Sequence, residues 1–283
     1  MLIFEKKVEL MAYLSRIRVQ KTVGFVPTMG ALHDGHLSLI AKSCAENSIS
    51  VVSIFVNPTQ FSNPTDLEKY PRNIAADVQK INTVSDQIIV FAPSTTDIYE
   101  QNLTSDTFDF DGLDHHLEGK HRPGHFDGVG TIVKKLFEIV QPTQAYFGEK
   151  DFQQLQVIKK MVFKNQMNVK VIACPILRET NGLAMSSRNE RLEPNDRENA
   201  KLIFETLTMV KQKFKNKNLP INHIKDWVKT VFQKNYEFDL EYFEIADEAT
   251  FLPILKRSYK KDIRAFIAVL VDGVRLIDTI SLN

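Results

Sequence analysis

Short apolar runs alternate with amphipathic stretches along the first two-thirds of the chain. The apolar runs are rich in β-branched residues and lie at residues 22–27, 50–56, 87–93, 144–148 and 169–176. The stretches between them carry apolar residues at helical spacing, at residues 36–47, 73–84, 129–140 and 151–166. Apolar strands separated by helices are typical of a parallel sheet covered on both faces. We therefore predict an α/β sheet that binds its ligands at the carboxyl ends of its strands.

The pattern changes near residue 177. Helical stretches at residues 193–215 and 222–235 come first, and apolar strands at residues 239–247 and 265–282 follow. The Asp272-Gly273 pair inside the last run predicts a hairpin. We therefore place a domain boundary near residues 175–190, between an α/β domain (residues 1–176) and a smaller α+β domain (residues 177–283).

Composition and charge exclude several classes of protein. A formal net charge of +1 gives no global field that would attract nucleic acid or an anionic membrane. No apolar run approaches the roughly 20 residues that span a bilayer, and the first twenty residues predict an amphipathic helix and not a signal peptide. Cys44 and Cys174 are expected to be reduced, buried thiols. These features predict a cytoplasmic protein with no nucleic-acid or membrane partner.

The segment PTMGALHDGH (residues 27–36) follows the first strand and opens a helix. His33 and His36 are three residues apart and share one face, at a helix N-terminus that favours anions. Gly30 lets the backbone approach a ligand, and Gly35 permits a tight entry to the helix. Two imidazoles here can donate hydrogen bonds to a phosphate. The alternative is that His33 only caps the helix and that His36 is a surface residue.

Amides and a lysine follow two other strands. In FVNPTQF (residues 55–61), Asn57 and Gln60 are neutral amides, and Gln60 can both donate to and accept from a hydroxy acid. In FGEKDFQQL (residues 147–155), Lys150 supplies a point charge for phosphate, and one of the two glutamines should face the pocket. The alternatives are a plain Asn-Pro turn and a solvated loop with a helix cap.

The segment LRETNGLAMSSRN (residues 177–189) places two hydroxyls and a guanidinium in a row at Ser186, Ser187 and Arg188. Such a cluster can hold the β- and γ-phosphates of a nucleotide and stabilise departing pyrophosphate. Gly182 before it indicates a close backbone approach. The alternative is a solvated turn before a helix.

The His-x-Gly-His string resembles the adenylyl-transferring superfamily that includes class I aminoacyl-tRNA synthetases. Together, the segments resemble the pantothenate synthetase family over essentially the whole chain. The resemblance also includes YPRN (residues 70–73), HRPGHFDGV (residues 121–129) and YFEIAD (residues 242–247). One departure is Asn181, where family members commonly have Asp.

The resemblance implies a Rossmann-like N-terminal domain that holds the active site, a C-terminal α+β lid domain, and a homodimer. The implied reaction depends on ATP and Mg²⁺. It joins (R)-pantoate to β-alanine through a pantoyl adenylate, releasing pyrophosphate and then AMP. An adenylate must be kept from water, which is a physical reason to expect a closing lid.

The resemblance also implies roles for single residues. It assigns His36 as proton donor and places His33, Lys150 and Arg188 with it as catalytic groups. The ATP-binding set is Met29, Gly30, Ala31, Leu32, His33, Asp34, Gly35, His36, Gly148, Glu149, Lys150, Asp151, Leu177, Met185, Ser186, Ser187 and Arg188. The substrate-binding set is Gln60, Gln154 and Asn57, and Asp77 is the expected acid on the magnesium side.

Three other interpretations remain at this point. The histidine-dense residues 114–125 have enough imidazoles for a zinc site, but no cysteine lies nearby, and a loop that steers phosphate or lies at a dimer edge is the favoured alternative. Another adenylyl or cytidylyl transferase of the same fold would not release AMP with β-alanine. A nucleotide-binding regulatory protein or an RNA-binding protein is disfavoured by the near-neutral charge and by the presence of His33, His36, Lys150 and Arg188.

Overall fold

The computed structural model describes residues 1–257 and 260–283, which form two compact units. The first unit comprises Met1–Asp111, Arg122–Gly148 and Gln154–Pro175. The second comprises Gly112–His121, Glu149–Gln153 and Ile176–Asn283. Two short segments that precede residue 176, Gly112–His121 and Glu149–Gln153, therefore belong to the second unit, in addition to the C-terminal residues predicted from the sequence.

The first unit is built on a six-stranded sheet in which every pairing is parallel. Its strands are β1 (Leu2–Phe4), β2 (Val23–Thr28), β3 (Ile49–Ile54), β4 (Ile89–Phe91), β5 (Gln144–Gly148) and β6 (Lys170–Cys174). All six positions of β3 are buried, as expected for a strand covered on both faces. The predicted α/β class is confirmed.

Helices connect these strands. They are α1 (Lys7–Ile17), α2 (Asp34–Glu46), α3 (Pro64–Glu68), α4 (Ile74–Val84), α5 (Thr95–Tyr99), α6 (Leu117–His121), α7 (His125–Val140) and α8 (Phe152–Lys164). Of these, α6 lies in the second unit, and α8 begins there before continuing in the first. No helix among the described residues is long and apolar enough to cross a membrane.

The strand order is β1-β4-β3-β2-β5-β6. The chain moves outward from β2 through β3 to β4 and then returns to the other side of β2 to form β5 and β6. The neighbours β2 and β5 therefore flank a topological switch point. Open parallel sheets bind ligands at such points, beside the carboxyl ends of the strands, and the loop that follows β2 lies at that end.

Besides the short helices α3, α5 and α6, which the sequence did not predict, three elements differ from the sequence-based expectation. The first twenty residues hold β1 before α1, because Leu2–Phe4 pairs with β4 at the sheet edge, and three apolar residues are too few to signal a strand. Helix α7 begins at His125, after Gly124 in the left-handed region (φ 76°), and its glycines weaken the helical signal. The single helix expected at residues 193–215 is two helices that meet at Ala200.

The second unit contains an antiparallel sheet of β7 (Phe238–Asp247), β8 (Ile263–Val271) and β9 (Val274–Ser281). Its helices after α8 are α9 (Pro194–Asn199), α10 (Lys201–Lys215) and α11 (Ile221–Gln233). The apolar faces of α10 and α11 share one buried core with the strands. The predicted hairpin is confirmed, because Asp272 (φ 45°) and Gly273 (φ 71°) both adopt the left-handed conformation that a type I′ turn requires.

A buried ion pair explains why the segment Gly112–His121 belongs to the second unit. The guanidinium of Arg275 in β9 donates to both oxygens of Glu118, at 2.7 and 2.8 Å. The hydroxyl of Tyr242 in β7 donates to the same carboxylate at 2.7 Å. Burial and the charge of Glu118 raise the pKa of Tyr242, so its hydroxyl remains a donor. Such paired contacts fix this segment on the sheet.

Two strand glycines test how closely the first sheet is packed. A Cβ on Gly24 would lie 2.2 Å from Ser43 Oγ and 2.6 Å from Asn47 Nδ2. No described heavy atom comes within 4 Å of a Cβ on Gly148. We predict that Gly24→Ala lowers the free energy of unfolding by about 1–3 kcal/mol through overpacking, whereas Gly148→Ala leaves it nearly unchanged. Urea unfolding of both variants measures this, and equal stability would contradict the close packing of β2 on α2.

Candidate active site

The loop after β2 turns sharply into α2. We call residues 29–36 the histidine loop. Gly30 (φ 81°) and Ala31 (φ 50°) are successive left-handed residues, and His33 is the N-cap of α2. The imidazole rings of His33 and His36 lie side by side in a tilted arrangement, with centroids 4.0 Å apart and ring planes inclined by 36°. The structure therefore brings together the two histidines whose spacing predicts a shared face, at a helix end that favours anions.

The hydrogen bonds of the turn indicate which nitrogen of His36 carries a proton. The backbone N–H of His33 donates to Nδ1 of His36 across 3.4 Å, a long contact. A neutral imidazole that accepts at Nδ1 carries its proton on Nε2. His36 can therefore present its Nε2–H as a hydrogen-bond donor to an anion.

Asp77 supports the histidine loop. Its carboxylate accepts the backbone N–H groups of Ala31 at 2.9 Å and of Leu32 at 2.7 Å, and the residue is only 2% exposed. The sequence-based expectation places this acid at magnesium. Within the described residues, no group of three or more His, Cys, Asp or Glu side chains could hold a metal ion. A carboxylate buried on backbone donors does not fit a resident magnesium site, although Mg²⁺ characteristically accompanies the phosphates of ATP.

Asn57 orients the side chain of Gln60 at the end of β3. Its Nδ2 donates to Gln60 Oε1 at 3.1 Å and to the carbonyl of Gly128 at 3.2 Å. Its Oδ1 accepts from the hydroxyl of Tyr99 at 2.6 Å. Asn57 is 1% exposed, so its amide serves these internal bonds. The amide orientation of Gln60 is thereby set, with its oxygen toward Asn57.

Gln60 lies beside the histidine loop. Its Nε2 is 3.2 Å from the sulfur of Met29, and a thioether is a weak acceptor. Nε2 therefore keeps a strong donor capacity for a ligand. This contact joins two segments that sequence reasoning assigned to different ligands.

Arg122 and His125 also hold Gln60, a contact that the sequence did not predict. His125 Nδ1 is 2.8 Å from the Gln60 carbonyl oxygen, which can only accept, so Nδ1 carries the proton. His125 Nε2 then accepts from Arg122 Nη1 at 3.1 Å. Both ring nitrogens of His125 therefore have hydrogen-bond partners, which argues against His125 as a zinc ligand. The sequence signal was the segment HRPGHFDGV, which contributed to the resemblance without a stated function.

Gly128 permits this arrangement. A Cβ at this position would lie 2.5 Å from the carbonyl oxygen of Thr59 and 2.7 Å from Gln60 Cα. Helix α7 can therefore pack against the Gln60 turn only because residue 128 lacks a side chain.

In the second unit, residues Glu149–Asp151 form a short helical turn. Lys150 Nζ lies 3.6 Å from Asp151 Oδ2, and Glu149 lies 3.7 Å from the guanidinium of Arg264. The amide of Gln153 is occupied, because its Nε2 donates to the carbonyl oxygens of residues 113 and 116, both at 2.7 Å. Of the two adjacent glutamines, Gln153 is therefore the structural one, and Gln154 is half-buried in α8.

Residues 177–185 form a tight hairpin in the second unit. The N–H of Met185 donates to Leu177 O at 3.0 Å, and the bend has Gly182 at φ 94°. Asn181 Oδ1 accepts the N–H of Leu183 at 3.1 Å, and its Nδ2 donates to Arg197 O at 3.1 Å. The second bond needs an amide nitrogen, which an aspartate at this position would not supply.

The hairpin leads to the predicted hydroxyl and guanidinium cluster. Ser186 caps the short helical turn Ser187–Arg191, and its Oγ accepts the N–H of Arg188 at 3.3 Å. Ser187 is buried and Arg188 is half-buried. Ser186, Ser187 and Arg188 therefore lie together at the start of one helical turn. Their hydroxyl and guanidinium groups are donors that can bind an anion.

A buried ion pair anchors this hairpin to β9. Arg178 donates to both oxygens of Asp278, at 2.6 and 3.0 Å, and its guanidinium lies 3.7 Å from the ring centroid of Phe204. Burial raises the pKa of Asp278, whereas hydrogen bonding to Arg178 and the charges of Arg178 and Lys150 oppose this rise. The carboxylate therefore depends on its cationic partners.

Comparison with known proteins identifies the family. The family model for pantoate-beta-alanine ligase matches residues 2–281. The chain belongs to the pantoate–β-alanine ligase family. It is 56% identical to the pantothenate synthetase of Flavobacterium psychrophilum, with 100% of both chains covered. It is 44% identical to the pantothenate synthetase of Bacteroides thetaiotaomicron, with 96% of this chain and 95% of that protein covered.

Solved structures of this family are similar. The crystal structure of pantothenate synthetase from Thermus thermophilus has a TM-score of 0.90 and 35% identity, and it covers 100% of this chain and 99% of that one. The pantoate-beta-alanine ligase from Francisella tularensis, complexed with beta-gamma ATP and β-alanine, has a TM-score of 0.83 and 37% identity, covering 100% and 98%. The chain is therefore an enzyme, a ligase with the activity of the pantoate–β-alanine ligase family.

The Arg178–Asp278 pair yields a stability prediction. Arg178→Met leaves a buried carboxylate without its partner, so we expect a loss of about 3–5 kcal/mol in the free energy of unfolding. Adding Asp278→Asn removes the stranded charge and should restore part of that loss. Thermal and urea unfolding of both single variants and the double variant give the coupling energy. A coupling energy of zero would refute the dependence of the carboxylate on Arg178.

Proposed function

We propose that this enzyme activates (R)-pantoate with ATP and then transfers the pantoyl group to β-alanine. A carboxylate oxygen of pantoate attacks the α-phosphorus, the bond to the β-phosphate breaks, and pyrophosphate leaves. The amine of β-alanine then attacks the acyl carbon of pantoyl adenylate. The bond to the phosphate oxygen breaks, AMP leaves, the amine loses a proton, and pantothenate is formed.

The proposal rests mainly on the contact between Gln60 and Met29. A glutamine that can bind a hydroxy acid lies 3.2 Å from the histidine loop, at the carboxyl ends of neighbouring strands β2 and β3. This arrangement suits a reaction in which an acyl carboxylate must reach a nucleotide phosphate. The Francisella tularensis relative, complexed with beta-gamma ATP and β-alanine, supports the same substrates here.

The first step brings two anions together, so catalysis depends on positioning and on neutralising charge. His33 and His36 supply hydrogen-bond donors at a helix N-terminus. A donor aimed at charge that develops in the transition state is typically worth about 2.7–4 kcal/mol. We assign His36 as the proton donor to the phosphates and His33 as their second imidazole contact.

We assign the remaining charge to the second unit. Lys150 supplies an ammonium, Arg188 a planar guanidinium, and Ser186 and Ser187 hydroxyl donors. Bound magnesium would neutralise phosphate charge and polarise the reacting phosphorus. The family resemblance supports this assignment.

Two further sets of contacts complete the proposal. We assign the adenosine and phosphate contacts to residues 29–36, 148–151, Leu177 and Met185, and we assign Gln154 as the second amide that binds pantoate. In this proposal Asn57 acts through Gln60. We further expect a cytoplasmic homodimer whose C-terminal domain closes over the adenylate, because water would hydrolyse it.

Replacing His36 tests the phosphate role. We predict that His36→Ala lowers turnover by at least about 100-fold, because one transition-state donor is lost, and that the unfolding transition is preserved. The measurement is β-alanine-dependent release of AMP from ATP and pantoate, which also separates this reaction from other nucleotidyl transfers. His115→Ala, at a side chain 73% exposed, is the matched control. Normal pantoyl-adenylate formation by His36→Ala would remove His36 from the mechanism.

Replacing Gln60 tests the acyl pocket. We predict that Gln60→Ala raises the KM for pantoate more than the KM for ATP, because the amide contacts the hydroxy acid and not the nucleotide. Gln101→Ala, an exposed glutamine of the same unit, should change neither value. Steady-state kinetics with each substrate varied in turn decide the matter. A larger rise in the KM for ATP would overturn the assignment.

A further inference from the structure

Helix α4 holds the histidine loop at three backbone points. Both oxygens of Asp77 are used, one by the N–H of Ala31 and the other by that of Leu32, at 2.9 and 2.7 Å. One helical turn later, Lys80 Nζ donates to the carbonyl oxygen of Leu32 at 2.6 Å. Asp77 and Lys80 share one face of the helix because they are three residues apart. The backbone of the histidine loop is therefore held through two N–H donors and one carbonyl acceptor.

This part of the loop needs such support. Ala31 is a non-glycine residue at φ 50°, a conformation that costs roughly 1–2 kcal/mol for an L-residue. The turn points two successive N–H groups at one place, which forms a small anion-binding concavity. The carboxylate of Asp77 fills that concavity and forms charge-assisted bonds there. The strained turn is thus stabilised by an anion that belongs to the protein.

The fit around this carboxylate is close. A Cβ on Gly30 would lie 2.9 Å from Asp77 Oδ2, so a side chain there would push the carboxylate from the loop. The N-terminus of α4 is itself fixed, because Asn73 Oδ1 accepts the N–H of Ala76 at 3.0 Å. The position of Asp77 is therefore set by its own helix and then transmitted to the loop.

The carboxylate of Asp77 would repel a polyphosphate bound at the histidine loop, so its presence there calls for a compensating role. Positioning is such a role, because the Ala31 and Leu32 amides that it accepts immediately precede His33. We propose that Asp77 and Lys80 are positioning residues that set the backbone from which His33 and His36 project, and that Asp77 is not a magnesium ligand. This inference rests on the proposed phosphate role of the histidine loop.

The variants Asp77→Asn and Lys80→Met test it, with Asp97→Asn as the control. An asparagine keeps the shape but presents an NH₂ to one of the two backbone N–H groups. Lys80 is a cation and cannot ligate magnesium, so it tests positioning alone. Asp97 accepts the backbone N–H of Lys7 at 2.7 Å, which makes it a comparable carboxylate away from the histidine loop.

Two readouts are needed for each variant. Hydrogen–deuterium exchange, read by mass spectrometry on peptides that cover residues 28–36, reports the loop directly and needs no activity. Exchange should be faster in Asp77→Asn, faster to a smaller degree in Lys80→Met, and unchanged in Asp97→Asn. Steady-state kinetics at several Mg²⁺ concentrations should show kcat/KM for ATP reduced by about 10- to 100-fold in Asp77→Asn, with an unchanged Mg²⁺ requirement.

Different failures have different signatures. Recovery of Asp77→Asn activity at high Mg²⁺ with wild-type exchange would overturn the proposal in favour of a metal ligand. Wild-type exchange and kinetics in both variants would overturn it as well. If Asp77→Asn fails to fold, Lys80→Met still decides the question. If the wild-type enzyme released no AMP, the reaction proposed above would fail, whereas the exchange measurement would still test how the loop is held.

Discussion

The histidine loop depends on one turn, in which Gly30 and Ala31 are both left-handed between β2 and α2. This turn converts a buried strand into a helix whose N-terminus faces the switch point of the sheet. It also exposes successive backbone donors, which Asp77 accepts. Without that acceptor, the two N–H groups would bind water or a substrate phosphate, and the backbone that carries His33 and His36 would no longer be held in one position.

Gln60 shows the same logic with neutral groups. Its side-chain oxygen is held by Asn57, and its carbonyl oxygen by His125, which in turn accepts from Arg122. Buried polar groups are almost always hydrogen-bonded. Here the hydrogen bonds also restrict the conformational freedom of the Gln60 side chain, whose Nε2 is the group proposed to contact a substrate. A side chain whose orientation is fixed before binding loses less entropy when it binds.

The sequence predicts the α/β sheet, most helices and the hairpin at Asp272-Gly273, because each produces a local periodic or turn signal. It also predicts that His33 and His36 meet, since they are three residues apart. It does not predict that Asp77 reaches the histidine loop or that His125 reaches Gln60, because these contacts join residues 45 and 65 positions apart. Strand β1 is missed for a related reason, since its identity comes from pairing with β4 and not from its three residues.

Asn181 shows how a neutral amide, at a position where the resemblance leads us to expect aspartate, fits its surroundings. The side chain accepts from Leu183 as an aspartate would, but it also donates to the carbonyl oxygen of Arg197. Arg197 is already paired with Glu179 through two hydrogen bonds, and Glu198 lies 3.4 Å from the Asn181 amide nitrogen. An aspartate at position 181 would place a second negative charge beside Glu198 and would leave the Arg197 carbonyl without this donor. The neutral amide therefore suits its surroundings here, and the hairpin keeps its shape without a charge at the turn.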